Sequence, residues 1–107
     1  MTEFLWYSGI PGRERCRFVR KKVFVEEQGF SEELEFDEID VTAWHLSVVE
    51  HGVPVGAARL YGQNAVYHAG RICILPEYRK CGLGGQILSA LEKKAIELGG
   101  QLSLIHI

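Results

Sequence analysis

Apolar residues change their spacing several times along the chain, and each change marks an element. Phe4-Leu5-Trp6-Tyr7 is a short apolar and aromatic run closed by Ser8, Gly9, Pro11 and Gly12, which predicts a strand and then a turn. From Arg13 to Gln28 the period becomes helical. Cys16, Val19 and Val23 recur at helical spacing among arginines and lysines, and Gly29 follows where a helix C-terminus favours it. The acidic stretch Ser31 to Asp40 spaces three apolar residues so that one or two helical turns led by Ser31, or an extended loop, would both fit. Alternation then takes over. Trp44, Leu46 and Val48 against His45 and Ser47 predict a strand, and Glu50-His51-Gly52 turns the chain into another from Val53 to Tyr61. After Gly62-Gln63-Asn64, Ala65 to Leu75 reads as a fourth strand whose end, Ile72-Cys73-Ile74-Leu75, is too continuously apolar for a solvated face. A glycine-rich stretch leads into a helix in which Leu88, Leu91, Ala95 and Leu98 share a face, Glu92, Lys93, Lys94 and Glu97 take the others, and Gly99-Gly100 ends the run. Gln101 to Ile107 returns as a strand beside the fourth. The predicted class is α/β with a mixed sheet, in the order β-α-(α)-β-β-β-α-β.

Composition narrows the function classes. A chain of 107 residues has room for one hydrophobic core, so a single domain over residues 1–107 is expected. With 47% apolar and 24% charged residues it reads as a soluble globular chain. A formal charge of -2 argues against a broad basic surface, so nucleic acid is not an expected partner, although Arg13 to Lys22 and Arg79-Lys80 are local basic clusters. Cys16, Cys73 and Cys81 form an odd set without Cys-x-x-Cys spacing, which suggests neither a disulfide framework nor a metal site and fits a reducing cytoplasm. No secretion or membrane signal is read from the apolar pattern.

The chemistry sits between the fourth strand and the last helix. A strand ending in Pro76-Glu77-Tyr78 that opens through a glycine-rich turn into an amphipathic helix presents several backbone N–H groups at a positive helix end. Gly82, Gly84 and Gly85 let that backbone approach an anion, and Arg79 and Lys80 add charge nearby. Taken alone the feature indicates anion binding, or simply a tight turn. A dinucleotide fingerprint would need a glycine where Ile87 stands, and the Gly-Lys-Ser/Thr of a Walker loop occurs nowhere.

Ile74 followed by Arg79-Lys80-Cys81-Gly82-Leu83-Gly84 resembles the cofactor signature of the GNAT superfamily of acyl-CoA-dependent N-acetyltransferases, Gln/Arg-x-x-Gly-x-Gly/Ala at a helix start. Arg20-Lys21-Lys22-Val23-Phe24-Val25-Glu26-Glu27-Gln28 is similar to the first-helix block of a small uncharacterised branch of that superfamily, and so are Asp37 to Asp40, His45-Leu46, Pro54 to Leu60 and Gly70 to Ile74. The resemblance implies a GNAT-like acyl-CoA N-acyltransferase fold and transfer of an acetyl group from acetyl-CoA, without metal, to a primary amine of a small molecule or peptide. Backbone groups of Ile72, Cys73 and Ile74 would then pair with the pantetheine arm. Arg79, Lys80, Cys81, Gly82, Leu83, Gly84 and Gly85 would hold the pyrophosphate. A protonated amine must lose its proton before attacking a thioester, so a base or a water chain is needed, and the resemblance offers Glu27 and His106. An N–H donor for the oxyanion would come from Cys73 or Ile74. His45 and His68 are weaker candidates, an acyl-cysteine on Cys73 or Cys81 is not expected, and Arg59 and Arg71 are expected to pair with the Asp37 to Asp40 segment. Trp6 and Trp44 read as core.

Family members continue with a further helix and usually two more strands, so the fold is read as truncated after the fifth strand. That reading leaves a strand edge open and predicts a homodimer or completion by a second chain. It also keeps an alternative: a non-catalytic acyl-CoA-binding or interaction module, or an inactive fragment of an acetyltransferase.

Overall fold

The computed structural model describes residues 2–9, 13–36, 38–63, 65–79 and 81–104. Among these residues, five strands form one mixed sheet in the order β1-β2-β3-β4-β5. They are β1 (Thr2–Ser8), β2 (Trp44–Glu50), β3 (Val53–Gln63), β4 (Val66–Ile74) and β5 (Gln101–Leu104). The first four run antiparallel to their neighbours, and β5 lies parallel to β4 because the helix α3 (Leu83–Glu97) carries the chain back across the sheet. The β2–β3 hairpin closes through His51 and Gly52, both at positive φ (50° and 81°), the backbone hand that matches strand twist in a two-residue turn.

Each face of the sheet is covered by a different helix. On one, Leu83, Ile87, Leu91 and Ala95 of α3 are buried, and the first three pack on Leu46, Val48, Val55, Ala58, Leu60 and Ala69. The buried stripe therefore runs at four-residue steps from Leu83. Leu88, read from sequence as part of it, is 40% exposed, because the helix is rotated to point Ile87 at the sheet. Trp6 and Trp44 are half-buried at the margin of this core, with the Lys94 ammonium 4.1 Å from the Trp44 ring centroid and 5.5 Å from that of Trp6.

On the other face lies α1 (Arg13–Arg20), which widens into a π-helix over Lys21–Glu27. Cys16, Val19, Val23 and Phe24 pack from it onto Ala57 and Cys73. The acidic stretch resolves into a short helix α2 (Glu32–Glu35) and a 3-10 turn (Glu38–Val41); Asp37 lies outside the described residues.

Among the described residues, five charged groups are held together under this second layer. The buried Arg20 guanidinium donates to Glu35 Oε2 (2.9 Å), to the Glu35 carbonyl (2.7 Å) and to Asp40 Oδ1 (2.8 Å). Arg59 reaches the same Asp40 oxygen at 3.1 Å, and Arg71 lies 3.2 Å from Glu35 Oε2. Burial works against charge on Arg20, yet its bonds to Asp40 and Glu35 outweigh that and leave it more firmly protonated than a free arginine. Arg59 thus pairs with the segment expected from sequence, whereas Arg71 takes Glu35, a few residues upstream. His45 is buried with Nε2 2.8 Å from the Asp40 carbonyl, and burial lowers its pKa, so it remains a neutral structural group. No helix among the described residues is long and apolar enough to cross a membrane.

Candidate functional site

The site is built where β4 outruns its neighbour. β5 pairs with β4 over residues 66–69 alone, so among the described residues the second half of β4 has one edge without a strand partner. A bulge marks the change. Between the pairs Arg59↔Gly70 and Ala57↔Cys73, β4 has two residues where β3 has one, and Arg71 takes φ 52°, rare for a side chain of its size.

Beyond the bulge, strand alternation decides which amides face outward. Leu75 donates its N–H to the Val55 carbonyl on β3 at 2.9 Å, so Cys73, two residues back, turns its N–H the same way and Ile74 turns to the open edge. The Ile74 carbonyl confirms that sense by accepting from Arg79 Nε at 2.9 Å on the far side from β3. Of the two expected oxyanion donors, Ile74 is therefore the one with an outward amide. The fourth strand's end was also expected to be buried; Cys73 is, whereas Ile72, Ile74 and Leu75 are only partly so, because the edge beside them is open.

The open edge leads directly to the start of α3. Gly82 sits at its N-cap with φ 83°, a conformation that other residues resist. Gln86 N–H to Gly82 O (3.2 Å) is the first bond of the helical ladder, and among the described residues no side chain caps the end, so the amides of Leu83, Gly84 and Gly85 precede the ladder. A Cβ at Gly85 would meet nothing within 4 Å, and one at Gly84 only Ile74 Cδ1 at 3.8 Å. The fold itself does not require glycine at either place. Their small size leaves room above three converging N–H groups at a positive helix end, which suits a phosphate. Gly85→Ala is accordingly expected to raise stability by about 0.5 kcal/mol, through the helix preference of alanine, while weakening the binding of a phosphate-bearing ligand. Paired thermal melts with and without that ligand would show the two effects with opposite sign.

Other expected site residues fall as follows. Arg79 turns its guanidinium to Glu27, with donor distances of 2.9 Å and 2.7 Å to the two carboxylate oxygens, instead of toward the helix end. The hydrogen bond from Arg79 holds Glu27 below the ordinary carboxylate pKa. Cys81 is exposed with its Sγ 2.9 Å from the Tyr78 carbonyl. Burial pushes the Cys16 thiol up to about 12 and Cys73 likewise upward, so neither supplies a thiolate near neutral pH. Lys80 and His106 lie outside the described residues.

Two openings flank the Glu27–Arg79 pair. A cleft of about 240 Å³ is lined by Val23, Gln28, Ile72, Cys73, Ile74 and Arg79, and it joins the open strand edge to the end of the π-helix. A groove of about 530 Å³ lies on the other side, with Phe18, Val53, Leu75 and Pro76 beneath Lys22, Glu26, Glu27 and Glu77. Gln28 is a lining residue that the sequence reading had not assigned to the site, although it closes the first-helix block. Among the described residues no group of three or more His, Cys, Asp or Glu side chains is arranged to hold a metal.

Comparison with known proteins gives this arrangement a context. A profile of the Acetyltransferase (GNAT) family matches residues 13–106. The uncharacterized N-acetyltransferase YjcF of Bacillus subtilis is 40% identical over 82 residues, which cover 77% of this chain and 59% of that protein. The chain spans 57% to 62% of the lengths of the three Bacillus subtilis relatives compared. An acyl-CoA N-acyltransferase from Pseudomonas aeruginosa superposes with a TM-score of 0.85 at 21% identity, over 97% of this chain and 78% of the other. AAC(6')-Iy, solved with the bisubstrate analogue CoA-S-monomethyl-acetylneamine, shares the fold with a TM-score of 0.74 at 17% identity, over 100% and 80% of the two chains.

Proposed function

The chain belongs to the Acetyltransferase (GNAT) family, and on that premise we propose that it binds acetyl-CoA and transfers the acetyl group to a primary amine of a small molecule or peptide. The observation that carries this reading is the continuity of the open β4 edge with a helix start where the fold does not need the glycines at 84 and 85. An extended pantetheine arm would add to that edge as a strand does, with the pyrophosphate on the amides of Leu83, Gly84 and Gly85. The bisubstrate complex of AAC(6')-Iy shows that a protein of this fold accommodates CoA joined to an amine-bearing partner.

In this proposal the outward amide of Ile74 donates to the oxygen on which charge develops as the amine attacks the thioester carbonyl. The amine must first lose a proton. Glu27 is paired with Arg79, which weakens it as a base, and the cleft beside Gln28 is open, so the proton passes to solvent. Transfer is direct: burial holds the Cys73 thiol protonated, and the exposed Cys81 turns its thiol to the Tyr78 carbonyl. The setting is the cytoplasm, and the outer edge of β5, which pairs with no further strand among the described residues, is where a second chain would associate. The test is release of free CoA thiol from acetyl-CoA in the presence of a panel of primary amines. Amine-dependent release is expected; saturable binding with no release for any amine would leave an acyl-CoA-binding module instead.

A further inference from the structure

Glu27 and Arg79 are 52 positions apart, and their side chains meet between the two openings of the site. Three donors of the guanidinium are used at once: two on the Glu27 carboxylate and Nε on the carbonyl of Ile74. The first residue of the loop is thereby tied both to the outward-facing end of β4 and to the last residue of the π-helix. A bidentate guanidinium–carboxylate pair has one preferred plane, so Glu27 sets the orientation in which Arg79 Nε points at Ile74. Arg79 is 36% exposed, and without Glu27 its guanidinium would keep, among the described residues, only the single bond from Nε to the Ile74 carbonyl.

We propose that Glu27 is a positioning residue, which through Arg79 holds the glycine loop and the Ile74 edge in register for the cofactor, and that it does not remove the proton of the acceptor. The inference rests on the acetyl-CoA reading given above. Each Glu27 oxygen keeps a second lone pair, but a carboxylate paired bidentately with a cation that remains charged throughout is favoured in its ionised form and is a weak base. The role differs from ligand contact, because the anion site is formed by backbone amides at the start of α3.

The experiment is a double-mutant cycle of Glu27→Gln, Arg79→Gln and both together, with acetyl-CoA affinity measured by calorimetry and amine-dependent turnover measured across pH. Each single change is expected to weaken acetyl-CoA binding about fivefold, the size suited to a half-exposed pair, and the double change no more than either. Turnover at saturating acetyl-CoA should fall by less than about tenfold, through the looser Ile74 amide, with the same pH profile. Unchanged affinity, or effects that simply multiply in the double variant, would overturn the inference. So would a loss of turnover on the order of a hundredfold in Glu27→Gln with its basic pH limb gone, which is the behaviour of a general base. Failure of the intact chain to bind acetyl-CoA would instead overturn the cofactor reading and this inference with it.

Discussion

Replacing Arg20 with methionine is expected to lower the unfolding free energy by about 3 kcal/mol, the scale found when one member of a buried ion network is removed. Arg20 is 1% exposed and joins Glu35 of α2 to Asp40 of the following turn, both of which are also buried. Its loss strands two carboxylates in a place that water does not reach, although Arg71 and Arg59 still neutralise them in part. Against a total stability of roughly 5–15 kcal/mol for a domain of ordinary size, this is a large fraction. Urea unfolding should show the midpoint falling with little change of slope. Arg20→Met combined with Glu35→Gln should regain part of the loss, because the uncompensated charge is then gone. A single variant within about 0.5 kcal/mol of the parent would mean that the network does not hold α2 in place.

The largest effect on binding is expected at the helix start. Glutamates in place of Gly82 and Gly84 put two negative charges and two side chains into the space above the amides of Leu83, Gly84 and Gly85. Repulsion of a pyrophosphate and blocked access to those N–H donors should weaken acetyl-CoA at least on the order of a hundredfold, equivalent to about 3 kcal/mol. Gly82 at φ 83° also disfavours any residue with a Cβ, so part of a change there is backbone strain. Gly82→Asn, which tolerates that conformation without adding charge, separates the two contributions. It should keep the helix content of the parent and lose less affinity than the double glutamate variant.

Much of this arrangement could be read from the letters, for a physical reason. Period-two alternation from Trp44 and the four-residue spacing through Leu91 and Ala95 are local signals, and they place β2 and α3 correctly. The glycine loop is likewise local, and it stands where the sequence placed it. The misreadings involve residues whose fate is set at a distance. Arg20 looks like one of a run of surface cations, but its burial is decided by Glu35 and Asp40, 15 and 20 positions away. Leu88 and Ile87 differ by one step of helix rotation, which only the sheet beneath can choose. The bulge at Arg71 carries no glycine to announce it at that residue, and the widening of the first helix into a π-helix leaves its apolar spacing nearly unchanged. Arg79 reads from the letters as a charge near the loop, and its pairing with Glu27 is not visible there because Glu27 lies on another element. Only the folded chain brings the two together.

The β4 edge and the start of α3 together form the proposed cofactor site. Calorimetric titration of the purified chain with acetyl-CoA, beside the Gly82→Glu/Gly84→Glu variant, tests this most directly. One saturable site per chain, lost in the variant while its circular dichroism stays that of the parent, is the predicted result. Undiminished binding by the folded variant, or none by the intact chain, would contradict it.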